Sequence, residues 1–186
     1  WFWNLRMFIQ ANAQAGRHDL SAPIFNLYRS NLSNIQTWTQ QQYPNHQGIC
    51  VPETMRFNGN GYYAGSWAEG NASCKSSIVS WNANNVTTGP ELSLFIWQQY
   101  LMTDDRTFLS NHYPIIRDSA RFLLSHAVTG SDGLLHTRSN AHEQQWSVND
   151  PVTDVAAMTA LFPVARSAAQ TLGVDSDLIT SINNAI

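Results

Sequence analysis

The hydrophobic pattern of the sequence alternates between two kinds of helical segment. Six segments have a helical period, near residues 3–15, 21–42, 89–103, 105–127, 151–172 and 175–186. Apolar side chains lie all round the first, third and fifth segments, whereas the others carry a single apolar stripe. A helix that is apolar all round is buried on every side, and a striped helix faces water on one side. The alternation therefore predicts an inner and an outer ring of helices.

These six segments would form three antiparallel hairpins, and an (α/α)6 toroid needs six. We therefore predict an all-α fold class, with residues 1–186 forming about half of such a toroid. The chain begins at Trp1 rather than at Met, and it stops at Ile186 inside a helical pattern. We expect both termini to be truncated and the fragment to be inactive alone.

Two long connections, residues 43–88 and 128–150, each lead from a striped helix to the next all-apolar helix. In an antiparallel array both connections fall at one end, together with the start of the first helix. Long connections in compact domains are usually functional or disordered, and aromatic residues are uncommon in disordered segments. The aromatic residues of the two connections include Tyr62, Tyr63, Trp67, Trp81 and Trp146. We expect this end to bind the ligand.

The composition favours a neutral, hydroxyl-rich ligand such as an oligosaccharide or glycan. Charged residues make up only 12% of the chain, and the net charge of −3 comes without any basic run, so no nucleic-acid partner is expected. No apolar stretch approaches the length of a membrane span. Amide and aromatic side chains are abundant instead, and these hydrogen-bond to sugar hydroxyls and stack on sugar faces.

Cys50 and Cys74 both lie in the first connection. A disulfide between them would contribute about 3.5 kcal/mol in the chain-entropy model; the alternative is two unrelated buried thiols. Three glycosylation sequons, at Asn31, Asn71 and Asn85, are about as many as chance provides. A secreted or extracellular location is the expectation from these features.

The second connection places the carboxyl of Glu143 between His142 and Trp146. A carboxyl beside an aromatic ring can have a raised pKa and act as a general acid; the alternative is a solvated glutamate in a loop. Trp146 stands where a metalloprotease H-E-x-x-H motif has its second His. We therefore expect no metal and no cofactor.

Two further groups of candidates remain open on spacing alone. Asp154 lies in the first turn of the fifth segment, where it either serves the site or interacts with the helix dipole. In the first connection, Glu53, Arg56, Asn58 and Asn60 combine charges and amides within a few residues. This combination suits a sugar-binding loop, or Glu53 and Arg56 form an ion pair.

Four segments together resemble the catalytic domain of glycoside hydrolase family 95, which contains inverting α-L-fucosidases and α-L-galactosidases. Residues 3–7 resemble its N-x-N-x-x-M segment, and residues 88–109 resemble its W-x-H-Y-x-x-T-x-D-x-x-F-L helix. Residues 139–144 resemble its S-P-E-N segment, and residues 152–154 its T-M-D. Order and spacing agree along nearly the whole chain.

The resemblance implies inverting hydrolysis of a terminal α-linked deoxy- or L-sugar, without a metal. Glu143 matches the general acid, and Asn4 matches the second of two asparagines that hold the attacking water. Phe2 stands where the first asparagine should be. The general base is expected beyond residue 186, and the expected partners of this chain are the remainder of the barrel and an N-terminal β-sandwich. Expected substrate contacts are Trp3, Glu53, Asn58, Asn60, His142, Trp146 and Asp154.

Two other classes of function are kept open. A phosphorylase or polysaccharide lyase on the same toroid would need a pocket lined by Arg or Lys, and the basic candidates near Glu143 are few, namely Arg138 and Arg56. A non-enzymatic helical carbohydrate-binding module would show regular repeats. The hairpins instead start near residues 3, 89 and 151, with unequal spacing.

Overall fold

A computed structural model describes residues 1–61, 74–75, 84–141 and 145–185, with only the backbone described at Gln145 and Trp146. Within these ranges lie seven helices: α1 Phe2–Gln14, α2 His18–Ser30, α3 Leu32–Gln42, α4 Thr88–Thr103, α5 Arg106–His126, α6 Val152–Leu172 and α7 Ser176–Asn183. Four short strands are β1 Val128–Thr129, β2 Leu135–His136, β3 Arg138–Ala141 and β4 Gln145–Asn149. The predicted all-α class is confirmed.

The helices pack as the predicted hairpins, since α1 contacts α2, α4 contacts α5, and α6 contacts α7. The centre of the core lies where α4, α5 and α6 meet one another. The stripe predicted on the fourth segment faces this centre: Leu109, Tyr113, Ile116, Ala120 and Leu123 of α5 are all buried. Burial of such a face removes apolar surface from water, which is the main source of stability here.

The prediction of all-round burial is wrong for the first, third and fifth segments, since Leu101 of α4 is 64% exposed and Val152 of α6 is 78% exposed. The first segment is the clearest case. Of α1, only Phe2 and Ile9 are buried, whereas Met7 is 71% exposed and Phe8 is 63% exposed. The sequence pattern reports that a face is apolar, but burial requires an element to pack against that face. Among the described residues, the apolar surface around Met7 and Phe8 has no such cover.

The second segment is two helices rather than one. The break is at Asn31, whose side-chain amide donates a hydrogen bond to the Leu27 carbonyl oxygen at 2.9 Å. A side chain that bonds the local backbone competes with continued helical geometry. The residues on both sides stay helical, so α2 and α3 together still complete the outer arm of the first hairpin.

The first connection begins by running along α5. The backbone N–H of Ile49 donates to the carbonyl oxygen of Asp118 at 3.0 Å, and that of Gln47 donates to the Ser125 hydroxyl at 3.0 Å. Gly48, between them, has φ +73° and lies directly against the α5 backbone. The segment therefore depends on a glycine for its closeness to the core.

The predicted disulfide is confirmed, since Cys50 and Cys74 are bonded within the first connection. Two of the three sequons are unavailable for glycosylation in the folded chain, because Asn31 is only 9% exposed and Asn85 only 2% exposed. The third, at Asn71, lies outside the described residues. In the described part of the chain no helix combines the length and apolar character needed to cross a bilayer.

Candidate active site

Three segments meet at one end of the helix array. The backbone N–H of Phe2, at the start of α1, donates to the carbonyl oxygen of Glu53 at 2.8 Å. Glu53 belongs to the first connection, and so does Asn84. The first connection also contacts the second connection, because the N–H of Asn140 donates to the carbonyl oxygen of Asn84 at 3.1 Å. The prediction that the first connection lies beside the start of the first helix is confirmed for the described residues, and the second connection is bonded to the first.

The second connection contains a β-hairpin that the sequence did not predict. Strands β3 and β4 are antiparallel, with Ser139 opposite Val148 and Ala141 opposite Gln145, and the register shifts between Ser139 and Ala141. Such a shift is typical of a bulge, which redirects side chains. His142 and Glu143 lie outside the described residues, as does the side chain of Trp146, so their predicted roles stay predictions.

Asn84 ties strand β3 to the outer helix. The hydroxyl of Tyr43, just after α3, donates to Oδ1 of Asn84, while Nδ2 of Asn84 donates to the carbonyl oxygen of Arg138 at 3.0 Å. Only 3% of Asn84 is exposed. Its side chain and its backbone thus hold β3 at two residues, Arg138 and Asn140.

Asp154, in the first turn of α6, is completely buried. The Ser139 hydroxyl donates to its Oδ2 at 2.6 Å. Burial raises the pKa of Asp154, and hydrogen bonds from hydroxyls, first that of Ser139, lower it in part. The contact that the structure records is therefore with strand β3, and direct contact of Asp154 with a substrate stays a prediction.

Glu53 and the two amides that follow it in the first connection have different environments. Glu53 is 5% exposed and lies near Tyr28 of α2, whose pKa is raised by burial and by the charge of Glu53. Asn58 is exposed in a tight turn, where its Oδ1 accepts the backbone N–H of Asn60 at 3.2 Å. The turn rests on α2 and α3 through Gly59, which faces Asn31. Asn58 thus shapes the turn, and its contact with sugar stays a prediction.

The start of α1 presents two candidates at this end. Asn4 is exposed, and Trp3 is 44% exposed. Phe2 instead turns into the core, where its ring contacts Tyr28 edge-on at 6.0 Å and Phe95 at 6.2 Å. Position 2 is therefore a core position in this chain, and an apolar residue is suited to it.

The basic candidates do not form a common pocket among the described residues. The guanidinium of Arg138 donates through Nε to the Ser147 hydroxyl at 2.9 Å, along the hairpin. Arg56 is exposed on the turn of the first connection. The described part of the chain also holds no cluster of three or more metal-ligating side chains. Nothing in this geometry favours the phosphorylase or lyase alternative.

An aromatic cluster of His46, Phe122 and His126 packs against Tyr43. The rings of His46 and His126 both contact Tyr43, and His126 is stacked on Phe122 at an interplanar angle of 14°. Burial, together with the positive charge of the neighbouring His46, lowers the pKa of His126 to about 4. Burial also lowers the pKa of His46. The cluster therefore favours neutral imidazoles.

This cluster predicts a loss of stability in acid. The pKa of a histidine in an unfolded chain is about 6.5. As the pH falls from about 6.5 to about 4, the unfolded chain therefore binds a proton at His126 that the folded chain does not bind. The free energy of unfolding should fall across this window. His126→Phe keeps the stacked ring and removes the titration. Urea unfolding midpoints at neutral and acidic pH should differ less for this variant than for the wild type, and equal differences would contradict the prediction.

Residues 4–186 match the family model described as the glycosyl hydrolase family 95 catalytic domain. The match covers α1 from Asn4 onward, both connections and the six other described helices. The search of curated proteins found no match.

Proposed function

The chain belongs to glycosyl hydrolase family 95, and we propose that it is part of the catalytic domain of an inverting exo-glycosidase. The proposed substrate is an oligosaccharide or glycan with a terminal α-linked deoxy- or L-sugar, as for an α-L-fucosidase. The three helical hairpins would make about half of an (α/α)6 toroid. The remainder of the barrel, and an N-terminal β-sandwich, are the proposed partners.

The observation that carries the proposal is the meeting of three segments at one end of the array. The start of α1, with Asn4, is bonded to the first connection at Glu53, and the first connection is bonded to β3 at Asn84. Hydrolysis with inversion needs an acid on one side of the scissile bond and an activated water on the other. Residues from separate elements at one end of the array can lie on opposite sides of a bound sugar, with the acid on one element and the group that holds the water on another.

In the proposed mechanism Glu143 is the general acid and protonates the glycosidic oxygen as it leaves. A water held by Asn4 attacks the anomeric carbon from the opposite face, and a carboxylate outside residues 1–186 accepts the water's proton. The hydroxyl of the water ends on the anomeric carbon, and the proton of Glu143 ends on the leaving group. The proton taken by the base is released to solvent, and Glu143 regains a proton from solvent before the next turnover. No metal or cofactor takes part in this scheme.

Exposed aromatic and amide groups at the same end would hold the sugar. Trp3 is 44% exposed, and the C–H face of a sugar can stack on an indole ring. Asn58 and Asn60, together with His142 and Trp146, are the other proposed contributors. The Cys50–Cys74 disulfide supports an oxidising environment for the chain. We therefore propose that the enzyme is secreted or extracellular.

The stereochemistry of the product tests this function. An inverting enzyme acting on an α-glycoside releases the β-anomer first, because the water attacks from the face opposite the leaving group. Proton NMR during the first minutes of hydrolysis of an aryl α-L-fucoside should show the β-sugar appearing before mutarotation. An aryl β-D-galactoside is the control and should not be cleaved. Initial release of the α-anomer would refute inversion.

A further inference from the structure

We propose that Asp154 is a positioning residue for the reaction: its buried carboxyl group holds Ser139 and so fixes the bulged strand β3. The inference rests on the proposed function, because the residue proposed as general acid follows β3 in the sequence. It differs from the expectation of direct substrate contact, since Asp154 would act through Ser139.

Three consecutive residues of β3 are each held by a buried group. Nδ2 of Asn84 binds the carbonyl oxygen of Arg138 at 3.0 Å, Oδ2 of Asp154 accepts the Ser139 hydroxyl at 2.6 Å, and the carbonyl oxygen of Asn84 accepts the N–H of Asn140 at 3.1 Å. Ser139 is 0% exposed and Asn140 is 2% exposed. The strand is therefore held from the first connection and from α6 at once.

The Asp154 contact falls where the strand pairing is irregular. The register of β3 against β4 shifts between Ser139 and Ala141, and Oδ1 of Asn140 accepts the N–H of Ser147 at 3.0 Å across the shift. A slip of one residue in a strand reverses the face of every side chain that follows. A fixed hydroxyl at Ser139 therefore helps to fix which faces of the strand Asn140 and Ala141 occupy.

Asp154 is suited to this role and poorly placed for direct contact. It is completely buried, so a substrate could reach it only if the hairpin moved. It also projects from the first turn of α6, a helix of 21 residues that packs against α4 and α5. A group on a rigid element is a better reference point than one on a loop.

The test compares four variants of the intact enzyme: Asp154→Asn, Asp154→Ala, Ser139→Ala and the double variant Ser139→Ala/Asp154→Ala. The asparagine variant retains an oxygen that accepts the Ser139 hydroxyl bond. Asp132→Asn is the matched control, because Asp132 is an exposed carboxylate that binds His136 on the neighbouring β1–β2 hairpin. Each is assayed on an unactivated glycan and on an aryl glycoside with a good leaving group.

Loss of the Ser139 bond should lower kcat on the unactivated glycan by about 10²-fold, the effect of a small misplacement of a catalytic group. Ser139→Ala and Asp154→Ala should show this loss equally, and the double variant should lose no more than either. The loss on the aryl glycoside should be much smaller, since its leaving group needs little protonation. Asp154→Asn should lose less than Asp154→Ala, because its oxygen can still accept the Ser139 hydroxyl bond. Asp132→Asn should stay close to wild type.

Two results would overturn the inference. The first is that Asp154→Asn loses as much activity as Asp154→Ala while Ser139→Ala stays active. This would show that a charge at Asp154 acts directly on the reaction. Equal losses on both substrates in Ser139→Ala would show a merely structural bond. If Asp154→Ala fails to fold, Ser139→Ala and Asp154→Asn still decide between these outcomes.

The Glu143→Gln variant separates this inference from the proposed function. If the loss of kcat in Glu143→Gln depends on the leaving group and the loss in Ser139→Ala does not, the positioning role alone is refuted. If Glu143→Gln shows equal losses on both substrates, the acid assignment is refuted, and the positioning role falls with it.

Discussion

Replacement of Glu143 by Gln is expected to lower turnover of a glycan with a poor leaving group by about 10²–10⁴-fold, the usual contribution of a positioned acid. Glutamine has nearly the same shape but cannot deliver a proton. An activated aryl glycoside should lose much less, because its leaving group departs without full protonation. Steady-state kcat on both substrates, with circular dichroism as a check of folding, measures the difference.

The pH profile gives the same prediction a second readout. Loss of the acid should remove the alkaline limb of the kcat profile, which reports the deprotonation of that acid in the enzyme–substrate complex. Gln144→Glu, which leaves Glu143 in place, is the matched control at the adjacent position. Equal losses of Glu143→Gln on both substrates would show that Glu143 shapes the site without donating a proton. Glu53, a buried carboxyl beside the start of α1, would then be the next candidate.

Replacement of Gly48 by Ala is expected to destabilise the fold by about 3 kcal/mol or more, within the upper range for single substitutions. A Cβ at this position would lie 2.0 Å from the carbonyl oxygen of Asp118 and 2.7 Å from the backbone nitrogen of Phe122. Both atoms belong to the backbone of α5, which cannot move aside as a flexible side chain can. The Ile49 hydrogen bond to Asp118 would be lost with the displacement.

Gly173→Ala is the matched control for this variant. Gly173 has nearly the same backbone conformation, with φ +75° against +73° for Gly48, but a Cβ there would meet no atom within 4 Å. It should therefore cost only the strain of a left-handed residue, about 1–2 kcal/mol. Urea unfolding of both variants separates strain from collision. Equal losses would contradict the claim that close packing on α5 is what requires a glycine at Gly48.

The helices were predictable because their signal is local. The period of apolar residues in α5 placed Leu109, Ile116 and Leu123 on one face, and all three are completely buried. The two cysteines of the first connection were paired as expected. The break at Asn31 was missed, since an amide that bonds the preceding turn leaves the hydrophobic pattern unchanged.

The hairpin β3–β4 was not predictable in the same way. Its described strands contain Arg138, Ser139 and Asn140, which have little intrinsic preference for a sheet. What holds them is a set of buried partners far away in the sequence, namely Asn84 and Asp154. Strand pairing in such a segment is a product of tertiary context.

The sequence by itself therefore indicated the helical segments, the buried stripe of α5 and the end of the array at which the first connection meets the start of α1. Each of these follows from local periodicity or from the order of antiparallel elements. Only the tertiary structure decided that the surface around Met7 stays exposed and that Asp154 is buried against Ser139. The physical reason is that burial and hydrogen bonding at these residues depend on which distant segment packs there, and a one-dimensional pattern does not contain that information.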